Sequence, residues 1–426
     1  MLNNVKITEL NNGITILSAA DAGAESVAVG LWVRAGGRYE TTQETGFSHF
    51  LEHMLFKGTP KRNALDITRA IEGRGGYLNA YTQEESTCYY VRLPYEFMDQ
   101  GVDVLIDMYM NAMISDDEIE REREVILEEI KMYQDLPHHH VQEKLQEAMF
   151  KNHALGRPLA GCEETLNPVD NRILCGYKDS RYKPGATVIA FSGRVDHDQC
   201  VKCVDERLGS LPAGATTEFS ELNSSFGQDQ LMLVGKEISQ VHAVLGFRIF
   251  GRHDKRRFAL RVMNGLLGEN MSSRLFQSVR ERHGLCYSIQ SGYQLFDDGG
   301  IFSISGGYDA QRVQDALALI IKELKNLIEG GVDENELIRT KEYLLGTFRL
   351  GLESVSSHMN FLGESYTNYR NIRQPEEILS NLKSVSAKDV QELAVEILTS
   401  SNMTLAMVAP NTLDQEESRW LDTIQL

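Results

Sequence analysis

Cysteine is sparse: six residues in 426, at positions 88, 162, 175, 200, 203 and 286, lie too far apart to staple a small secreted domain. The chain reads as one from a reducing compartment. Long apolar runs are missing as well. None approaches the roughly 18 to 20 residues that span a bilayer, and the opening MLNNVKITEL lacks the basic-then-apolar order of a secretory leader. A cytoplasmic protein with no membrane partner is therefore expected. Positive charge is also short: 43 Lys and Arg stand against 61 Asp and Glu, a net charge of -18. Without a basic stripe to neutralise phosphates, nucleic acid is not expected as a partner, and basic peptides are mildly favoured. No glycine-rich loop follows a strand in the manner that cradles phosphates, so nothing supports a nucleotide cofactor.

What the chain does contain is a repeat. Its length suits two domains of about 200 residues, each large enough to bury a core. The apolar run from Ser26 to Arg34, closing on Gly36-Gly37-Arg38, is echoed by Gln240 to Arg248, closing on Gly251-Arg252. Both have the alternating or continuous apolar character of sheet strands. The segment Phe97 to Asp135, an apolar-periodic helix followed by an acid-rich one, is echoed by Val313 to Leu350. A helix and strand around Tyr182 to Leu211 find their parallel in Leu382 to Val408. The expected fold class is α+β, with two homologous domains, each a mainly antiparallel sheet covered by helices on one face. Residues 1–211 form the first domain and 228–426 the second. The small, polar segment from Pro212 to Gly227 joins them.

Only the first repeat carries chemistry. The segment Thr45 to Pro60 reads as a short helix, with Gly58 placed for a left-handed cap and Pro60 forbidding continuation. Its four-residue spacing sets His49 and His53 one turn apart on one face, where they can share a metal. Glu52 projects from the same side, beside a position where a metal would activate water, as a general base must. The order His-x-x-Glu-His is the inverted form of the zincin motif. A helix that merely happens to carry two histidines is the plainer alternative.

Two histidines leave a tetrahedral zinc short of a protein ligand. The helix from Ser115 to Asp135, opened by a Ser115–Glu118 capping pair and closed before Pro137, is the best source. Ile119, Ile126, Ile130 and Tyr133 mark its buried stripe, and Glu122 and Glu129 fall inside it. Buried carboxylates cost several kcal/mol unless a cation or metal is beside them, so each points to a metal, to a buried Lys or Arg, or to a stripe edge wet enough to solvate it.

Taken together, His49 to Thr59, Leu78 to Thr82, Arg121 to Ile130 and Arg280 to Tyr287 resemble the pitrilysin/insulinase family of zinc peptidases. The resemblance is to its half-length members, those similar to the catalytic subunit of mitochondrial processing peptidase, and it runs through the whole chain. It implies one zinc held by His49, His53 and Glu129, with Glu52 as general base and Glu122 orienting a ligand histidine. It also implies that Asn79 and Ala80, on an edge strand, pair with an extended peptide, and that Arg280 and Tyr287 grip the substrate. The counterpart of the metal helix, Val262 to Gly268, has no histidine or acid, so the second repeat cannot bind this metal. Longer family members join four such units, so a homodimer is expected here, or a heterodimer with a paralogue. The implied activity is that of an endopeptidase for peptides or unfolded, presequence-like polypeptides. A non-catalytic peptide-binding or scaffold subunit of the same fold, and a zinc hydrolase of a non-peptide substrate, are the rival readings.

Two weaker signals read as structural. Cys200 and Cys203 sit on an amphipathic helix and lack the second pair that a zinc site needs. His138-His139-His140 are adjacent on a helix, where neighbouring side chains diverge and cannot chelate one metal.

Overall fold

The computed structural model describes residues 4–215, 217–222, 227–413 and 417–426. Thr216 and residues 223–226 of the expected linker lie outside the described residues. In chain order the first elements are β1 (Val5–Glu9), β2 (Thr15–Ala20), β3 (Ser26–Val33), α1 (Phe47–Leu55) and α2 (Ala64–Glu72). There follow β4 (Tyr77–Thr82), β5 (Thr87–Pro94), α3 (Met98–Asn111), α4 (Asp116–Asp135) and α5 (Pro137–Met149). Next come α6 (Glu163–Leu166), α7 (Asn171–Arg181), β6 (Thr187–Gly193) and α8 (His197–Leu208). The later part holds β7 (Leu231–Lys236), β8 (Gln240–Phe250), α9 (Arg257–Leu267), β9 (Cys286–Leu295) and β10 (Gly299–Asp309). It ends with α10 (Val313–Gly330), α11 (Glu334–Gly351), α12 (Val355–Tyr369), α13 (Pro375–Ser384), α14 (Ala387–Ile397), β11 (Met403–Pro410) and α15 (Glu417–Thr423).

These elements build two compact units, each assembled from separated stretches of chain. One takes Met1–Ile130, Arg157–Ser220 and Arg349–Pro375; the other takes Lys131–Gly156, Glu221–Phe348 and Glu376–Leu426. The first unit holds a six-stranded sheet in the order β1-β2-β6-β3-β5-β4, and the second a five-stranded sheet in the order β7-β11-β8-β10-β9. In each sheet one pair is parallel, β2 with β6 and β7 with β11, and the remaining pairs are antiparallel. Apart from the extra β1, the two sheets follow one scheme, which is the repeat read from the sequence.

The central strand explains the layering. Along β3, Val27, Val29, Leu31 and Val33 join a core with Phe50, Leu51 and Met54 of α1, Val102 and Leu105 of α3, Ile126 of α4 and Val204 of α8. Ala28 and Trp32, on the opposite face, pack with Met359 and Leu362 of α12. β3 is buried at every position after Ser26; each sheet carries helices on one face, as expected, and one further helix on the other, which was not expected. In the second unit that helix is α5, whose Val141, Leu145 and Met149 meet Val244, Ala406 and Val408. Glycine makes these approaches close: a Cβ on Gly363 would stand 2.3 Å from the Trp32 ring, and one on Gly246 would stand 2.7 Å from Leu145.

Candidate metal centre

Helix α1 buries Phe47, Phe50, Leu51, Met54 and Leu55 against the core, leaving His49, Glu52 and His53 on its remaining face. Its start is unusual. Gly46 has φ 95°, and a Cβ there would meet the Gly161 backbone at 2.6 Å, so glycine is required and no side chain is available to cap the helix. Glu40 takes over that task, accepting the N–H groups of Gly46 at 2.8 Å and Ser48 at 2.7 Å. Burial raises Glu40 to about 7 even though both hydrogen bonds, and the charge of Arg157, oppose the rise. The helix ends at Leu55, and Gly58, at φ 134°, turns the chain into Pro60.

Helix α4 presents Ile119, Glu122, Arg123 and Ile126 as its buried residues. Arg123 donates to the carbonyls of Leu166 at 3.1 Å and Val169 at 2.7 Å, which ties α4 down beside α1. Tyr133, expected in the buried stripe, is 38% exposed, because the packed face ends before that turn of the helix is reached.

The carboxylate of Glu129 faces both imidazoles. Its Oε2 lies 3.7 Å from His49 Nε2 and 3.5 Å from His53 Nε2. These separations exceed an ordinary N–H···O hydrogen bond of about 2.7–3.2 Å. They are close to the ~3.4 Å that tetrahedral bonds of about 2.1 Å impose between two ligands of one zinc. All three ligand atoms lie within 4.8 Å of one another, the only such group among the described residues. His49 Nδ1 is buried with no hydrogen-bond partner. Burial, with the neighbouring His53, lowers His49 to about 4 against the pull of Glu129, so the imidazole is neutral and keeps a lone pair for a metal. Burial also opposes protonation of His53, but Glu129 and Glu122 outweigh it and the net shift is upward. The donor set fits zinc in number, type and spacing.

Behind these groups, Glu122 is buried and bridges His53 and Lys57. One oxygen meets His53 Nδ1 at 3.1 Å and the other pairs with Lys57 Nζ. Glu122 thus has a partly exposed lysine as its counter-charge, and Glu129 faces the two histidines of a metal-type group. Glu52 lies on the neighbouring turn, where Thr82 Oγ1 donates to its Oε2 at 2.5 Å. Burial raises the pKa of Glu52, while the Thr82 hydrogen bond and His53 counter it.

The remaining expected residues fall in two places. Asn79 and Ala80 lie on β4, the edge strand beside α1, where Asn79 Oδ1 accepts the Ala80 N–H at 2.8 Å. Arg280 and Tyr287 belong to the second unit and stack on each other, with the guanidinium 5.2 Å from the ring centre and Tyr287 84% exposed. Lys57, Thr82 and Glu40 were not expected from the sequence. Of the weaker signals, Cys200 and Cys203 are buried and free. His138 and His139 are exposed while His140 turns inward. No helix among the described residues is long and apolar enough to cross a membrane.

Residues 15–163 match the model of the insulinase family, peptidase family M16, and residues 172–344 match that of the peptidase M16 inactive domain. The chain is 36% identical over 408 residues to the uncharacterized zinc protease YmxG of Bacillus subtilis, covering 96% of this chain and 98% of that protein. It is 34% identical to an uncharacterized zinc protease of Streptomyces coelicolor, covering 99% of this chain and 93% of that one. Among solved structures, a protease from Helicobacter pylori aligns with TM-score 0.88 at 19% identity, over 96% of this chain and all of that chain. A putative M16-like peptidase from Alicyclobacillus acidocaldarius aligns with TM-score 0.85 at 20% identity, over 96% and 98% of the two chains. The label of the second model agrees with α9, whose Val262–Gly268 region offers no metal ligand. With one metal-type triad among the described residues and these matches over nearly its whole length, the chain belongs to the insulinase family of zinc proteases, M16.

Proposed function

We propose that the chain is a zinc-dependent endopeptidase that cleaves peptides or unfolded, presequence-like polypeptides. It holds one zinc through His49, His53 and Glu129 and uses Glu52 as general base. The observation that carries this reading is the set of three ligand atoms at metal-sharing distances, with a partly buried carboxylate on the next turn of the same helix.

Bound zinc supplies Lewis acidity, polarising the scissile carbonyl and lowering the pKa of water. The protein's own groups do the rest. Glu52 has one oxygen occupied by Thr82, which fixes the carboxylate and leaves the other to accept a proton from the attacking water. Its burial-raised pKa helps it keep that proton until the leaving amine takes it. Glu122 receives the Nδ1–H of His53, which turns Nε2 toward the metal, and Lys57 neutralises the charge left over. An extended substrate adds to the free edge of β4, displacing the Asn79 amide from the Ala80 N–H. Arg280 and Tyr287 serve as further substrate contacts, and a homodimer is the working assembly.

Glu52→Gln keeps the zinc ligands and removes the base. The variant should retain stoichiometric zinc by elemental analysis while peptide cleavage falls by at least about 10³-fold, within the range for loss of a general base. Undiminished cleavage by zinc-replete Glu52→Gln protein would falsify the assignment.

A further inference from the structure

The face of β4 turned away from the metal helix carries chemistry that catalysis does not use. Alternation along β4 sends Leu78 and Ala80 to the core shared with α1, and Thr82 to Glu52. Tyr81 takes the other face, packing with the core that holds Trp32, Cys88 and Leu362 of α12. Its hydroxyl accepts the Trp32 indole N–H at 3.1 Å, which commits its own proton to the next acceptor, Glu364 Oε1 of α12, at 3.4 Å.

Glu364 is open to solvent but has protein close around it, and burial raises its pKa against the Tyr81 hydrogen bond. No cation pairs with it among the described residues. A partly desolvated carboxylate with one neutral donor and no counter-charge is an acceptor for an incoming cation. Its position relative to the reacting centre follows from the edge strand itself: the successive residues Tyr81 and Thr82 hold Glu364 and Glu52 through their hydroxyls, so the two acids are reached from neighbouring positions of β4, on opposite faces of the sheet.

A peptide strand added to β4 also alternates. Side chains on one face go to the metal side, and those between them go to the side of Tyr81 and Glu364. We propose that Glu364 and the Tyr81 hydroxyl form a specificity subsite for a lysine or arginine side chain of the bound peptide, next to the scissile bond and on the opposite face from the metal. This rests on the peptidase reading of the site and adds to it a substrate class, an extended peptide with a cationic residue at one fixed place.

The test uses full-length, zinc-loaded protein and a set of fluorogenic peptides in which one position at a time around the cleaved bond is Lys, norleucine or Glu. In wild type, one position should favour Lys over norleucine in kcat/KM by roughly two- to fivefold, the range for a partly exposed ion pair. Glu364→Gln should abolish that ratio, and Glu364→Lys should invert it in favour of Glu at the same position. Structural damage would not produce an inversion. Peptide affinities measured by anisotropy in the Glu52→Gln background read the same ratios without turnover. Cleavage by wild type with no position sensitive to residue 364 in either assay overturns the subsite. Charge-dependent binding without cleavage by wild type overturns the peptidase reading and leaves the subsite standing.

Discussion

Burial drives Glu40 and His49 toward their neutral forms, lifting the one to about 7 and depressing the other to about 4. For His49 this preserves the lone pair that a metal requires. For Glu40 it makes stability depend on pH. Its folded-state value lies above the 4.5 of the unfolded chain, so between those values the native state binds more protons and stability falls as pH rises. Glu40→Gln removes that slope. In zinc-free protein the stability of wild type minus variant, from urea unfolding, should fall between pH 4.5 and 7, by at most about 1.4 kcal/mol per pH unit. A difference independent of pH would mean that the amides of Gly46 and Ser48 hold Glu40 ionised throughout. Legibility at this scale followed the range of the interaction. His49, Glu52 and His53 share a helix, so their spacing exposed them, and Glu122 and Glu129 stood out as acids within an apolar stripe. Glu40, Lys57, Thr82 and Glu364 acquire meaning only through contacts that folding creates, and no local period marks them.

Helix α12 lies on its sheet because Gly363 lets the backbone approach the Trp32 ring. Trp32 is fully buried and held by the Tyr81 hydroxyl, so it has nowhere to go. Gly363→Val should therefore cost on the order of 2 kcal/mol through overpacking, measured by urea unfolding. Gly346→Ala on α11, where a Cβ meets nothing within 4 Å, should instead be neutral or stabilising by up to about 1 kcal/mol. Equal effects at the two glycines would refute the role of close packing. The strands of both sheets were legible because β3 and β8 are apolar along nearly their whole length. The near-continuous burial of β3 goes with cover on two faces, where helices on only one face were expected. Which helix covers the second face was hidden, since α12 lies far from β3 in sequence and its Ser, His and Asn residues dilute the apolar stripe.

As a whole molecule the chain has, among the described residues, one metal-type triad for two homologous units. We propose that the active assembly is a homodimer, which gives four units and two centres. Sedimentation at the concentration of the assay should report a dimer. A monomer with full activity would exclude it. The exchanged covers, α12 on the first sheet and α5 on the second, also bear on synthesis. A ribosome emits the metal ligands early, yet the sheet that supports them stays bare on one face until Tyr369 has left the exit tunnel. Vectorial folding from the N-terminus therefore stops short of a finished catalytic unit for most of translation, and maturation of the metal-bearing half is tied to near-completion of the polypeptide.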